Sequence, residues 1–104
     1  MEKGSILIEF LGDSPLIRIL DFLIEMAPFE VSKEQVIRET GISRNSLFAH
    51  WKRLERFGIV RKVRTEGRTT FYTLERRSPV TQLLWRLEER LLKAEPARAA
   101  LSRA

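Results

Sequence analysis

Residues 32–60, SKEQVIRETGISRNSLFAHWKRLERFGIV, decide the fold. They read as two short helices joined by a tight turn and followed at once by a strand. Ser32 is placed to cap the first helix and Gln35 to reach back to it, which makes a capping box. Val31 and Val36 occupy the two positions of a hydrophobic staple around that cap. Gly41 falls just past the end of the first helix, where a left-handed backbone is usual and glycine adopts it without a Cβ clash. Ser43 is placed to cap the second helix, with Ile42 and Leu47 as its staple.

Two capped helices separated by so short a turn form a helix-turn-helix, whose second helix is the one offered to DNA. That second helix divides its chemistry by face. At roughly 100° per residue, Leu47, Trp51 and Leu54 share a core stripe. Asn45, Ala49, Lys52 and Arg56 fall on the opposite side, with Arg53 at its edge. Ser43, Arg44 and Ser46 stand at the cap and first turn, where a recognition helix meets base edges. Asn pairs well with adenine and Arg with guanine, and Lys and Arg also hold phosphates. An isolated run of this kind is usually an ordinary solvated basic face. Its position on the second helix of a capped pair favours the DNA reading.

Gly58-Ile59-Val60 ends the helix and starts IVRKVRTEGRTTFYTL. Two runs rich in Val, Thr, Phe and Tyr flank Thr65-Glu66-Gly67, which is a hairpin signal that leaves the register open. Arg61, Lys62, Arg64 and Arg68 cluster around this hairpin and its tip. A basic hairpin after a recognition helix is a wing, whose tip lies along phosphates or enters the minor groove.

Four segments, GDSPLIRILDFLIE, TGISRNSLFAHWKRLERFGIV, GRTTFYTL and SPVTQLL, carry a resemblance. The stretch from about Ser14 to Glu89 resembles winged-helix transcriptional regulators of the MarR and ArsR kind, and is similar in texture to small winged-helix proteins common in archaea. Trp51 departs from the pattern, because such families usually carry a smaller aliphatic residue there. The resemblance implies a mainly α fold with a small β-hairpin (α+β), a winged helix-turn-helix with a C-terminal dimerisation helix. It is silent on the target.

The chain has 104 residues and a formal net charge of +5. Ten Lys or Arg and three Glu lie between Ser43 and Arg77, a net of +7 that leaves −2 for the remainder. Such concentration suggests a footprint for a polyanion. There is no cysteine, which removes disulfides and thiolate metal sites and favours a cytoplasmic location. Ile6–Leu11 is a poor signal peptide, being short and containing Glu9. No apolar run approaches the ~18 residues of a membrane span, so no membrane partner is expected.

Residues 1–12 form an N-terminal arm or strand, with a helical turn as a further reading of ILIEFL. Residues 13–77 form the winged helix-turn-helix domain, which opens with Ser14 as cap and Pro15 at the first helical position. Leu16, Ile19, Leu20, Leu23 and Ile24 give its first helix a buried stripe. Residues 78–104 form a C-terminal helix and tail, again opened by a cap and a proline at Ser78-Pro79. Val80, Leu84, Leu87, Leu91 and Ala94 recur at heptad spacing. Trp85 and Leu92 lie to a second side and Leu83 to a third, more than one small domain covers. A homodimer interface at Val80, Leu84, Trp85, Leu87 and Leu91 buries the excess, and the rival reading packs the helix on its own core. Pro96 is expected to break the helix, leaving a short helix or a frayed tail.

No cofactor is implied, and no enzyme: His50 is the only histidine, with no nucleophile set, metal-ligand cluster or phosphate loop. The resulting expectation is a homodimeric, sequence-specific regulator of double-stranded DNA, a repressor. Its rivals are a winged-helix protein-interaction module in a transcription, replication or partition complex, for which exposed Phe48 speaks, and a nonspecific architectural DNA binder. Any effector binds at the dimer interface or is another protein.

Overall fold

A computed structural model describes residues 5–103, with side chains to residue 94. Helix α1 spans Ile6–Leu11, α2 Pro15–Met26, α3 Lys33–Thr40, α4 Arg44–Arg56 and α5 Pro79–Arg103. Strands β1 (Val31–Ser32), β2 (Val60–Glu66) and β3 (Thr69–Leu74) form one antiparallel sheet in the order β1-β3-β2. This is the expected winged helix-turn-helix, with a three-stranded sheet where the sequence showed only a hairpin. β1 is two residues long, too short for a period to be seen.

The local signals act as expected. Ser14 Oγ accepts from the Ile17 amide, Ser32 Oγ from the Gln35 amide and Ser43 Oγ from the Ser46 amide, at 3.1–3.3 Å. Each relieves one orphan donor of a helix start. No return bond from the Gln35 side chain is present among the described residues, so the capping box is half formed. Gly41 sits at φ 76°, ψ 9°, and its amide donates to the Ile37 carbonyl. A side chain there would strain the backbone that redirects the chain from α3 into α4. Arg18 braces the same turn from α2. Its Nη1 donates to the Thr40 carbonyl at 3.0 Å, while Nε and Nη2 grip the Asp13 carboxylate at 2.6 and 2.9 Å. That grip holds the Asp13 carboxyl below its ordinary value.

One core joins these elements. Ile19, Leu20, Leu23 and Ile24 of α2 meet Val36 of α3, Leu47, Trp51 and Leu54 of α4, and Val60, Tyr72 and Leu74 of the sheet. Leu16 is only half-buried. Trp51 is 1% exposed and meets the Tyr72 ring edge-on at 5.1 Å, so the large residue fills the space between α4 and β3.

Two expectations are corrected at the ends of the chain. Residues 6–11 form a capped helix, the helical alternative for ILIEFL rather than the strand or arm, with buried Leu7 anchoring them to the core. The first four residues of the expected arm lie outside the described residues. At the other end, α5 runs through Pro96 to Arg103. A proline inside a helix removes one amide donor and clashes with one carbonyl, which can kink the helix without ending it. No helix among the described residues is long and apolar enough to cross a membrane.

Candidate nucleic-acid interface

Helix α4 lies across the sheet with Leu47, Trp51 and Leu54 turned inward. That packing fixes the opposite face outward. Ser43, Arg44, Asn45, Ala49, Lys52, Arg53 and Arg56 are all exposed, and Ser46 is half-buried beneath its own cap. Lys52, Arg53 and Arg56 have no carboxylate partner within ion-pair distance among the described residues. Arg56 stacks its guanidinium 5.1 Å from the Phe57 ring.

The hairpin turns tighter than expected. Glu66 pairs with Thr69, which leaves Gly67-Arg68 as a two-residue loop. Gly67 has φ 59°. Glycine at the first loop position is what a type II′ hairpin turn requires. Arg68 is thereby exposed at the tip, again without a carboxylate partner among the described residues.

A bulge between Lys62 and Arg64 sorts the wing's cations. Lys62 pairs with Tyr72, whose ring faces Trp51 of α4, so Lys62 is on the α4 side of the sheet. Arg61 pairs with Thr73 on the other face. Val63 is the extra residue, and Arg64 comes opposite Phe71 on that same far face. Without the bulge, the two-residue period would place Arg64 on the α4 side.

Three of the expected cations are held by carboxylates. Arg61 Nε donates to Glu75 at 2.6 Å. Arg64 Nε donates to Glu30 at 2.9 Å, pairs also with Glu66, and lies 4.3 Å from the Phe71 ring centroid. Arg44 grips Glu34 with both Nη atoms. The hydrogen bonds from Arg44 and Arg61 hold the Glu34 and Glu75 carboxyls below their ordinary values. The structure therefore brings Asn45, Ala49, Lys52, Arg53 and Arg56 onto one exposed helix, with Lys62 on the neighbouring sheet face and Arg68 at the tip. It separates Arg61 and Arg64 from them.

Lys33 was not singled out from the sequence. A crevice of 250 Å³ between the start of α3, α4 and the wing is lined by Lys33, Phe48, Arg68 and Tyr72 among others. Lys33 Nζ lies 5.2 Å from the Phe48 ring centroid, 5.4 Å from Tyr72 and 6.0 Å from Trp51. Cation–π attraction holds the ammonium there. It also gives Phe48, 42% exposed, a local role as part of the crevice wall. The aromatic spacing was visible in the sequence, but nothing local tied it to a lysine on another helix.

His50 is half-buried, with Nδ1 lacking a hydrogen-bond partner among the described residues. Among the described residues no group of three or more His, Cys, Asp or Glu side chains is arranged to hold a metal ion.

On the far side of the molecule, Leu84, Trp85, Leu87 and Leu91 are half-buried against the chain's own core. Val80, Leu83 and Leu92 of α5 and Phe10 and Leu11 of α1 remain exposed. Four of the five expected interface residues are thus partly used within the chain, and the uncovered apolar surface joins Val80 to positions that were not expected there.

No family model matches the sequence, and no curated protein matches it. Solved structures do. Reduced HlyU from Vibrio cholerae superposes with a TM-score of 0.54 at 28% identity, over 79% of this chain and 84% of that one. The transcriptional regulator PA4135 gives 0.64 at 21%, over 89% and 66%. NadR, determined in complex with 4-hydroxyphenylacetate, gives 0.65 at 22%, over 91% and 64%. The chain spans just under two thirds of the last two.

Proposed function

We propose, from the premise that this chain has the winged helix-turn-helix fold of MarR/SlyA-type transcriptional regulators, that it is a homodimeric, sequence-specific binder of double-stranded DNA that represses by occluding a promoter. The observation that carries the reading is the exposed face of α4. Asn45, a hydrogen-bonding side chain, is followed by Lys52, Arg53 and Arg56, none of them neutralised by a carboxylate among the described residues. Helix α4 enters the major groove in this reading. The start of α4 reads base edges, and the cations further along hold the backbone. Lys62, Arg68 and Lys33 extend the positive surface across the crevice to the wing. Arg44, Arg61 and Arg64 enter only by exchanging carboxylates for phosphates or bases. An interaction module for protein would be served better by an apolar face, and Phe48 is already engaged by Lys33.

The test is equilibrium binding to a labelled duplex over a range of salt. Several phosphate contacts should give a steep linear fall of log affinity with log salt, at about 0.9 per phosphate neutralised. Binding that is absent at low salt, or indifferent to salt, would contradict the reading.

A further inference from the structure

A cleft of about 1110 Å³ lies between the base of the wing, the residues that join β3 to α5, and α5 itself. Arg61 and Thr73, partners across the two strands, place it on the sheet face away from α4. Arg61, Arg76, Arg77 and Arg86 line it against Glu75 and Glu89, a net charge of +2. We propose that this cleft binds a small ligand through a terminal phosphate group, a phosphate monoester held by Arg76, Arg77 and Arg86. The site stands independently of the DNA-binding reading.

The chain between β3 and α5 is fixed by its own hydrogen bonds. The Glu75 amide donates to the Ile59 carbonyl at 2.7 Å. The Glu75 carboxylate accepts from Arg61 Nε at 2.6 Å and from the Arg77 amide at 3.2 Å. Gln82 of α5 donates through Nε2 to the Arg76 carbonyl at 3.2 Å. The Arg76 guanidinium lies 5.5 Å from the Trp85 ring centroid. At roughly 100° per residue, Gln82, Arg86 and Glu89 share one side of α5. A backbone held in this way lowers the ordering cost of binding a ligand.

Glu75 is thus engaged by Arg61 and the loop. Arg76, Arg77 and Arg86 are exposed and have no carboxylate partner within ion-pair distance among the described residues. A concave surface lined by one sign of charge focuses its field on a counter-ion. A phosphate monoester brings a charge of about −1.5 to −2 and three strong acceptor oxygens. Three planar guanidinium forks suit those three oxygens. A carboxylate offers less charge and fewer oxygens. So does a phosphodiester of a nucleic-acid backbone, two of whose oxygens are esterified. The place also differs from the wing tip. Arg61 and Glu66 are five residues apart on β2, about 16 Å at 3.3 Å per residue, and Arg68 lies beyond.

The experiment is calorimetric titration of the intact protein at about 0.15 M salt. The probes are ribose 5-phosphate, adenosine 5′-monophosphate, adenosine, dimethyl phosphate and citrate. Both monoesters should bind at least roughly tenfold tighter than dimethyl phosphate or adenosine. Equal affinity for the two monoesters identifies the phosphate as the group recognised, and a tighter adenosine 5′-monophosphate makes the source a nucleotide. Arg77→Ala and Arg86→Ala should each weaken monoester binding roughly tenfold, with circular dichroism unchanged. Arg68→Ala should leave it as in the parent. Monoesters that bind no tighter than dimethyl phosphate overturn the proposal, as does citrate binding tighter than either monoester. Unchanged monoester affinity in both cleft variants overturns it too. A loss of duplex binding in Arg77→Ala and Arg86→Ala as large as that in Arg68→Ala would make the cleft a duplex-backbone contact, which overturns the proposal and leaves the DNA-binding reading standing.

Discussion

Asn45 stands at the second position of α4, exposed and carrying no structural hydrogen bond among those described. A side chain with both a donor and an acceptor, held on a rigid helix and unused by the fold, suits the adenine edge. Asn45→Ala should cost about 1–3 kcal/mol on the preferred site and little on random DNA, measured by parallel titrations. An equal loss on both would reduce Asn45 to a backbone contact. The sequence shows why such residues are candidates, because cap, stripe and outward face are set within a few residues of one another. The partners of Arg44, Arg61 and Arg64 are another matter. Glu34, Glu75 and Glu30 lie 10, 14 and 34 positions away in the chain, and pairing over such separations is decided by the tertiary fold.

At the scale of elements, the wing divides its work. Arg68 stands free at the tip, whereas Arg64 is turned by the bulge toward Glu30 and Phe71. Arg68→Ala should weaken binding to all sequences and flatten the salt slope by about one unit. Arg64→Ala should change it less, and the reverse order would show that the bulge does not sort these cations. The hairpin was legible in the sequence because Gly67 punctuates two β-rich runs. The bulge was not, since no Gly marks Val63. Helix α5 carries a different signal. Glu88 is half-buried, and its carboxyl is raised by burial and then by the nearby charges of Asp21, Glu25 and Glu89. A raised folded-state value means that the ionised form is disfavoured on folding. The penalty is absent below the ordinary 4.5 and complete above the raised value. Glu88→Gln should therefore raise Tm at pH 7 by roughly 1–3 °C, and the gain should fade as pH falls through and below the ordinary glutamate value. A gain that is equal at pH 7 and pH 4 would contradict this.

For the whole molecule the long helix dominates. The principal extents are 57 × 28 × 20 Å, and the radius of gyration is 15.1 Å against about 13 Å for a compact chain of 100 residues. Helix α5 has 25 residues, a length of about 37 Å at 1.5 Å per residue. It outruns the core it packs on, and Leu83 and Leu92 stay 65% and 54% exposed. Two-fold pairing through α5 and α1 would cover this surface and double the recognition helix. The heptad spacing singles out this helix as the dimer element, and its half-buried members Leu84, Leu87 and Leu91 pack against the chain's own core. Leu83→Glu is therefore the cleaner probe, since it leaves that core intact. Light scattering should give twice the chain mass for the parent and a lower mass for Leu83→Glu, with circular dichroism unchanged. A parent that stays monomeric at high micromolar concentration would remove the dimer. The most direct measurement of the central claim is selection of bound duplexes from a random-sequence pool by the intact protein. Two recognition helices about one DNA turn apart, ~34 Å, should enrich a single two-fold-symmetric motif with half-sites about 10 base pairs apart. Recovery of the pool without enrichment would contradict sequence-specific regulation, and recovery of nothing would contradict DNA binding altogether.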